Sequence, residues 1–261
     1  MELNNRICVV TGGASGIGAA TERAFAARGA RVVVTDINID GARSVANEIK
    51  GFAIACDVSI ESEVNALVAE TEKQLGDIDI FFSNAAVATG GNPLTTPIDV
   101  WQDQWNINVM SHVYAARTVL PKMIERGHGY ICSTASAAGL LTQIGSAPYA
   151  VTKHAAVALA EWIAVTHGDQ GIRVSVLCPQ AVRSKMTAGG GGVASVDGML
   201  EPEDVAEAVV QTIESERFLI LPHPEVTTYM QRKTSDYDRW LGGMRRLQAN
   251  WRERVGQGDS R

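Results

Sequence analysis

The chain has 261 residues, of which 46% are hydrophobic and 20% are charged, and its formal net charge is −6. This length suits one large α/β domain, and no apolar run approaches the ~18 residues that a membrane helix needs, so a membrane-spanning protein is excluded. The negative charge and the lack of clustered Lys and Arg argue against a nucleic-acid partner.

The N-terminus and the cysteines indicate the compartment. Residues 1–6 run straight into an apolar segment, with neither the basic leader nor the apolar stretch of a secretory signal, and we expect a cytoplasmic protein. Cys8, Cys56, Cys132 and Cys178 are far apart, and each lies in a short apolar stretch. That distribution predicts buried free thiols, with no disulfide and no metal site.

Short apolar runs alternate with segments of helical period along most of the chain. Runs that are apolar at nearly every position are typical of strands covered on both faces, and the helices between them supply the crossovers of a parallel sheet. The predicted strands are residues 7–10, 32–35, 52–56, 78–82, 130–133, 174–177 and 218–221. The predicted helices are residues 16–28, 39–50, 61–75, 101–126, 149–168 and 203–214. Together they predict a single-domain, doubly wound α/β fold with a seven-stranded parallel sheet.

A glycine-rich turn, TGGASGIG, follows the first predicted strand. Its first glycine permits a tight bend, its third lets the backbone approach a pyrophosphate, and its fourth lets the next helix pack close to the sheet. The N-terminus of that helix then faces the phosphates. The predicted phosphate-binding residues are Gly12, Ser15, Gly16, Ile17 and Gly18.

The second predicted strand is followed by Asp36, eighteen residues beyond Gly18. A carboxylate at this place can accept hydrogen bonds from an adenosine ribose and repel a 2′-phosphate. Ala14, Ser15 and Ile37 offer no cation for such a phosphate. The sequence therefore predicts NAD as the cofactor in preference to NADP; an exposed acid at a strand end is the alternative.

Tyr149 and Lys153 are four residues apart in a segment with the pattern of a helix. That spacing puts both side chains on one helical face, where an ammonium can favour the phenolate and suit it to general acid–base work. Alone, the pair could be an ordinary exposed helix pair. The independent glycine-rich turn favours a catalytic pair.

Two segments outside the predicted sheet also bear on function. Residues 184–200 are rich in glycine, and we interpret them as a mobile substrate lid, with a simple connector as the alternative. Beyond residue 221 an apolar stripe predicts an amphipathic helix that packs on its own domain or on a sister subunit. We therefore divide the chain into a catalytic domain, residues 1–221, and a C-terminal helical extension, residues 222–261. The stripe consists of Tyr229, Met230, Tyr237, Trp240, Leu241, Met244, Leu247, Trp251 and Val255.

Several motifs occur together in a fixed order between residues 6 and 221. They are Thr11-Gly-x-x-x-Gly16-x-Gly18, Asp36, Asn84-Ala85, Asn108, Ser136 and Tyr149-x-x-x-Lys153. With this set the chain resembles the short-chain dehydrogenase/reductase family, whose fold is Rossmann-like. Three places depart from the family pattern: Ala86 and Gln180 replace glycines, and Ser184 replaces a threonine.

The resemblance implies a role for each motif residue. Asn108, Ser136, Tyr149 and Lys153 would be catalytic: Asn108 holds a helix distortion and a water beside Lys153, and Ser136 binds the substrate oxygen. The implied cofactor contacts beyond the turn and Asp36 are Asp57 and Val58 near the adenine, Asn84 in the cleft, Tyr149 and Lys153, and Val182 and Ser184 at the carboxamide. Local structural roles, such as capping a turn or bonding the backbone, are the alternatives for Asn108, Ser136 and Asp57.

The expected reaction is hydride transfer between NAD(H) and a hydrophobic secondary alcohol or ketone, with Tyr149 as general acid and base. The expected substrate wall is mostly apolar, with no Arg or Lys at hand for a carboxylate. Its residues are Ser136, Ala138, Leu140, Leu141, Gln143, Ile144, Tyr149, Gln180, Met186 and Met199. A 3-oxoacyl (carrier protein or CoA) reductase and a non-catalytic NAD sensor or scaffold are the alternatives. By resemblance we expect a homotetramer.

Overall fold

A seven-stranded parallel sheet forms the centre of the computed structural model, which describes the backbone of residues 1–258 and side chains through residue 253. The strand order is β3-β2-β1-β4-β5-β6-β7, so the order reverses beside β1, between β1 and β4. The predicted sheet is confirmed. The strands are β1 (Ile7–Thr11), β2 (Arg31–Asp36), β3 (Phe52–Ala55), β4 (Ile80–Ser83), β5 (Gly129–Thr134), β6 (Ile172–Leu177) and β7 (Leu219–Ile220).

Nine α-helices are described around this sheet. They are α1 (Gly16–Ala27), α2 (Ile39–Ile49), α3 (Glu61–Leu75), α4 (Ile98–Trp105), α5 (Ser111–Glu125), α6 (Ala147–His167), α7 (Pro202–Glu214), α8 (Glu225–Ser235) and α9 (Tyr237–Gly258). Residues 259–261 of the predicted extension, and the side chain of Val255, lie outside the described residues.

Both faces of the sheet are covered by helices, which explains the uniformly apolar strands. Phe25 of α1 and Val209 of α7 belong to the core on one face, and Leu67 of α3, Val119 of α5 and Ile163 of α6 to the core on the other. All five residues of β1 and all six of β5 are buried. When both faces of a strand are buried, apolar side chains at every position give the most favourable free energy of burial.

The predicted helix 101–126 is not continuous. Helix α4 ends at Trp105, a π-helical segment spans Asn106–Met110, and α5 follows from Ser111. Periodicity cannot reveal this break, because the apolar residues continue through it. π-helical turns are frequent at functional sites. The predicted lid also differs from a structureless loop, since it contains short 3₁₀ helices at Lys185–Thr187 and Gly192–Ser195.

The C-terminal helices α8 and α9 pack on the domain next to the loop after β5. Lys233 of α8 is buried, and its Nζ donates to the carbonyl oxygens of Leu140 at 2.7 Å and Leu141 at 3.3 Å. The same ammonium lies 5.1 Å from the ring centroid of Trp240. These contacts fix the extension beside Ser136 and not on a remote face.

The four cysteines are free and buried, as predicted. Over the described part of the chain, no helix combines the length and the apolar character required to span a bilayer.

Candidate active site

The turn between β1 and α1 forms a cradle of bare backbone. Gly12 has φ +70° and Gly16 has φ +55°, conformations that favour glycine. A Cβ placed on Gly18 would lie 2.3 Å from the carbonyl oxygen of Gly12, so no side chain fits there. The Ser15 side chain does not cap α1, and the first N–H groups of this helix can therefore serve an anionic ligand.

Asp36 lies at the end of β2, against this turn. Its Oδ2 accepts a hydrogen bond from the Ala14 N–H at 3.1 Å, and its Oδ1 accepts one from Asn38 N–H at 2.8 Å. A carboxylate oxygen has capacity for a second donor. The carboxylate is thus held in place while it keeps acceptor capacity for a ribose hydroxyl.

A buried acid, Glu22, lies under the turn and was not predicted from the sequence. It is 0% exposed, and neither of its carboxyl oxygens has a hydrogen-bond partner among the described residues. Burial, with a smaller contribution from the charge of Asp36, raises the pKa of Glu22 to about 10. The group is therefore neutral at pH 7, and a Cβ on Gly13 would meet its Oε1 at 2.1 Å.

Asn84 connects the ends of three strands at the floor of the cleft. Its Nδ2 donates to the Thr11 carbonyl oxygen and its Oδ1 accepts from the Thr134 hydroxyl, each at 2.9 Å. Thr11 is the last residue of β1, Thr134 is the last residue of β5, and Asn84 directly follows β4. The side chain is thus part of the wall that the glycine-rich turn approaches.

Tyr149 and Lys153 share one face of α6, as their spacing predicts. Lys153 Nζ lies 5.6 Å from the Tyr149 ring centroid and donates to the Thr134 carbonyl oxygen at 2.8 Å. Lys153 is 0% exposed, and burial lowers its pKa to about 8. At neutral pH the buried amine is still mostly a cation.

The protonation of Tyr149 differs from the sequence-based expectation. Burial raises the pKa of Tyr149 above its ordinary value, and the neighbouring Ser136 hydroxyl works in the opposite direction. Desolvation dominates here, so the protein alone does not lower the pKa of this phenol. Tyr149 is consequently protonated at neutral pH in the free protein.

Ser136 and Asn108 have structural bonds beside these two residues. The Ser136 hydroxyl accepts from Ala138 N–H at 3.1 Å and lies 3.3 Å from the Pro179 carbonyl oxygen. The Asn108 amide exchanges two hydrogen bonds of 2.9 Å with the backbone of Val87 and donates to the Thr152 hydroxyl at 3.2 Å. Asn108 lies within the π-helical segment, as the resemblance implied for a distorted helix.

The remaining predicted cofactor residues lie along the same edge of the sheet. Asp57 and Val58 follow β3, and the Asp57 carboxylate accepts from the Ser59 N–H and hydroxyl at 2.9 and 2.6 Å. Ser184 lies across the cleft, with its Cβ 3.6 Å from where a Cβ on Gly16 would be. Val182 is buried and pairs with Leu200 in an isolated bridge.

A cavity of about 750 Å³ opens beside Ser136. Among the predicted substrate residues, Ser136, Ala138, Leu141, Gln143, Ile144 and Gln180 line it. The rest of its wall comes from the lid and the C-terminal helices: Val193, Ala194, Val196, Tyr229, Arg232, Ser235, Arg239, Trp240, Gly243, Met244, Arg246 and Leu247, with Ala137 and Thr142 beside Ser136.

Several expectations about this wall are not met. Tyr149, Leu140, Met186 and Met199 do not line the cavity, and Met186 is 51% exposed. The expectation that no basic side chain is at hand is wrong, because α8 and α9 bring three arginines to the cavity. Gln180 carries a buried Oε1 that has no partner among the described residues.

Comparison with known proteins agrees with this geometry. The family model described as short chain dehydrogenase matches residues 6–190. A 1-deoxy-11-beta-hydroxypentalenate dehydrogenase from Streptomyces exfoliatus is 34% identical over 250 residues, 90% of this chain and 90% of its own length. A meso-2,3-butanediol dehydrogenase from Serratia marcescens is 34% identical over 192 residues, 72% of this chain and 76% of its own length.

Among solved structures, a short chain dehydrogenase/reductase from Burkholderia phymatum in complex with NAD aligns with a TM-score of 0.84 at 25% identity, covering 91% of this chain and 96% of that one. These similarities define an α/β oxidoreductase. The chain belongs to the short-chain dehydrogenase family.

Proposed function

We propose that this protein is an NAD(H)-dependent dehydrogenase or ketoreductase for a hydrophobic secondary alcohol or ketone, with Tyr149 as the general acid and base. The observation that carries the proposal is that Tyr149 and Lys153 lie together beside Ser136, the residue of the three that lines the cavity, with a glycine-rich turn on the same edge of the sheet. A proton donor, a buried cation and a dinucleotide cradle are all that such a reaction requires of a protein.

The cradle fits a dinucleotide. The turn from Gly12 to Gly18 would hold the pyrophosphate, Asp36 the adenosine ribose, and Lys153 the nicotinamide ribose, with Asp57, Val58, Asn84, Val182 and Ser184 as further proposed contacts. When bound, the nicotinamide supplies the hydride-transfer chemistry. The related structure in complex with NAD supports this assignment.

Tyr149 and Ser136 would both act on the substrate oxygen, Tyr149 by proton transfer and Ser136 by positioning. In ketone reduction the protonated phenol donates its proton to the carbonyl oxygen, and Ser136 holds that oxygen in place. In alcohol oxidation the phenol must first lose its proton, and the Lys153 cation nearby favours that loss. Asn108 would position Lys153 through the π-helical segment.

The cofactor preference gives a first test. We expect kcat/KM with NAD(H) to exceed that with NADP(H) at least tenfold, because the Asp36 carboxylate would face the 2′-phosphate. Asp36→Ala should reduce this ratio, whereas Asp57→Ala should leave it nearly unchanged. The measurement is the initial rate with each cofactor on one ketone. Equal or better turnover of wild-type protein with NADP(H) contradicts the assignment.

Proposed alternatives are separated by one fluorimetric scan of NADH consumption against a ketone panel. Turnover of hydrophobic cyclic or aryl ketones supports the proposal. Turnover confined to 3-oxoacyl thioesters indicates an acyl reductase, and NADH binding without any turnover indicates a sensor or scaffold. The relatives named as a hydroxypentalenate dehydrogenase and a butanediol dehydrogenase favour the first outcome.

We also propose a homotetramer that uses the face of α5 and α6. An apolar groove of about 350 Å³ lies there, lined by Leu120, Leu159 and Trp162 among others, and Trp162 is 59% exposed. Exposed apolar patches of this kind mark protein contacts. The cytoplasmic location expected from the sequence remains a prediction.

Light scattering tests the assembly. At micromolar concentration we expect a mass about four times that of the 27.9 kDa chain. Trp162→Glu should shift it to smaller species, because a carboxylate in a buried apolar contact is costly. Leu94→Glu is the control: Leu94 is 92% exposed and lies in the loop between β4 and α4, and its substitution should leave the mass unchanged. A wild-type monomer defeats the proposal.

A further inference from the structure

The cavity wall formed by the C-terminal helices is positively charged. Arg232 of α8 and Arg239 and Arg246 of α9 all line the cavity, and each is exposed, so they lie toward its open side. We refer to these three residues as the arginine rim. Among the described residues that line the cavity there is no Asp, Glu or Lys, although the whole chain has a net charge of −6.

None of the three guanidinium groups of the arginine rim forms a salt bridge with a carboxylate of the described residues. The nearby acids have other bonds: Asp197 accepts from the Tyr229 hydroxyl at 2.9 Å, and Asp236 accepts from the backbone N–H of Arg239 at 2.9 Å. Elsewhere in the described chain, arginines with a salt bridge are Arg6, Arg23, Arg28, Arg43, Arg117, Arg126, Arg173 and Arg183.

We propose that the substrate carries a carboxylate, remote from its reacting carbon, which binds to the arginine rim; this inference rests on the proposed function. The wall of the cavity combines three kinds of chemical group. Ser136 offers a hydroxyl for the reacting oxygen, Leu141, Ile144 and Leu247 offer apolar surface, and the arginine rim offers charge.

A carboxylate suits this arrangement for three physical reasons. The planar guanidinium group matches a carboxylate with two parallel hydrogen bonds. Unpaired cations at the open side raise the local concentration of an anionic substrate. A volume of about 750 Å³ suits a compact ring compound with one acidic group.

Binding of unreactive probes tests the carboxylate site apart from catalysis. Cyclohexanecarboxylate and cyclohexanecarboxamide have the same shape and differ in charge. By calorimetry on the full chain we expect the wild type to bind the carboxylate about tenfold more tightly, the size of one partly exposed charge-assisted contact. The triple variant Arg232→Gln, Arg239→Gln, Arg246→Gln should lose this preference.

Arg245→Gln is the matched control, because Arg245 is an exposed neighbour on α9 that does not line the cavity. It should keep the preference of the wild type, and thermal melting should show that all variants fold. The preference should also shrink as salt is raised, since exposed charges are screened. Equal binding of the two probes to the wild type, or an unchanged preference in the triple variant, overturns the inference.

Turnover separates this inference from the proposed function. Keto acids and their methyl esters would be compared as substrates, with NADH as the reductant. The acid should have about tenfold higher kcat/KM than its ester in the wild type and in Arg245→Gln, and not in the triple variant. If no ketone is reduced while the probe preference persists, the proposed function fails and the carboxylate site stands. If a CoA thioester is preferred over the keto acids, and the triple variant loses only this preference, the arginine rim recognises phosphate. The carboxylate assignment is then wrong.

Discussion

Tyr149→Phe should lower turnover roughly 10²–10⁴-fold, the usual contribution of a positioned proton donor. The substitution removes one hydroxyl and leaves the ring beside Lys153 in place. NADH affinity should therefore stay near that of the wild type. Steady-state rates with one ketone and a fluorescence titration with NADH measure the two quantities.

Tyr130→Phe provides the matched control for this experiment. Tyr130 is a buried tyrosine of strand β5, its hydroxyl lies 2.6 Å from Ser175 Oγ, and it does not line the cavity. We expect it to lose about 1 kcal/mol of unfolding free energy and to keep its turnover. If Tyr149→Phe retains a tenth of the wild-type activity, Tyr149 is not the proton donor.

Lys153→Met should abolish most turnover while the fold becomes no less stable at pH 7. The buried ammonium has its pKa lowered to about 8 from 10.5, and that shift corresponds to about 3 kcal/mol of unfavourable burial. Methionine fills a similar volume without charge, and the lost hydrogen bond to Thr134 offsets about 1 kcal/mol of the gain. Chemical denaturation and initial rates measure the two effects.

The pH dependence of that stability difference has a definite sign. Below pH 8 lysine is charged in both the folded and the unfolded chain, so the full unfavourable term is present. Between pH 8 and 10.5 the unfolded state binds more protons than the folded state, and wild-type stability rises. The advantage of Lys153→Met should therefore shrink across this interval. A variant that unfolds more readily than wild type at pH 7 indicates that Lys153 is structural.

The strands and most helices could be predicted because burial on both faces makes a strand apolar at nearly every position. β1, with Cys8, Val9 and Val10 all 0% exposed, is the clearest case. The break at Asn106–Met110 could not be predicted, because a π-helical turn inserts one extra residue without changing composition. The pair of Tyr149 and Lys153 was recognisable because four-residue spacing fixes a common helical face.

The wall of the cavity was harder to predict than its floor. An amphipathic stripe shows that the C-terminal helices pack, but it does not specify which surface they cover. Arg232, Arg239 and Arg246 therefore resembled solvated charges, and only the fold brings them near Ser136. Glu22 was missed for a similar reason, since a glutamate within a helix pattern normally faces water.

As proposed above, Tyr149 and Lys153 serve hydride transfer between NAD(H) and a secondary alcohol or ketone. The most direct measurement is transfer of deuterium to a ketone from NADH that carries deuterium at both C4 positions of the nicotinamide, followed by mass spectrometry of the alcohol. We expect wild-type protein to place one deuterium on the carbinol carbon, and Tyr149→Phe to yield almost none in the same time. Absence of labelled alcohol from every ketone tested with wild-type protein would contradict the account.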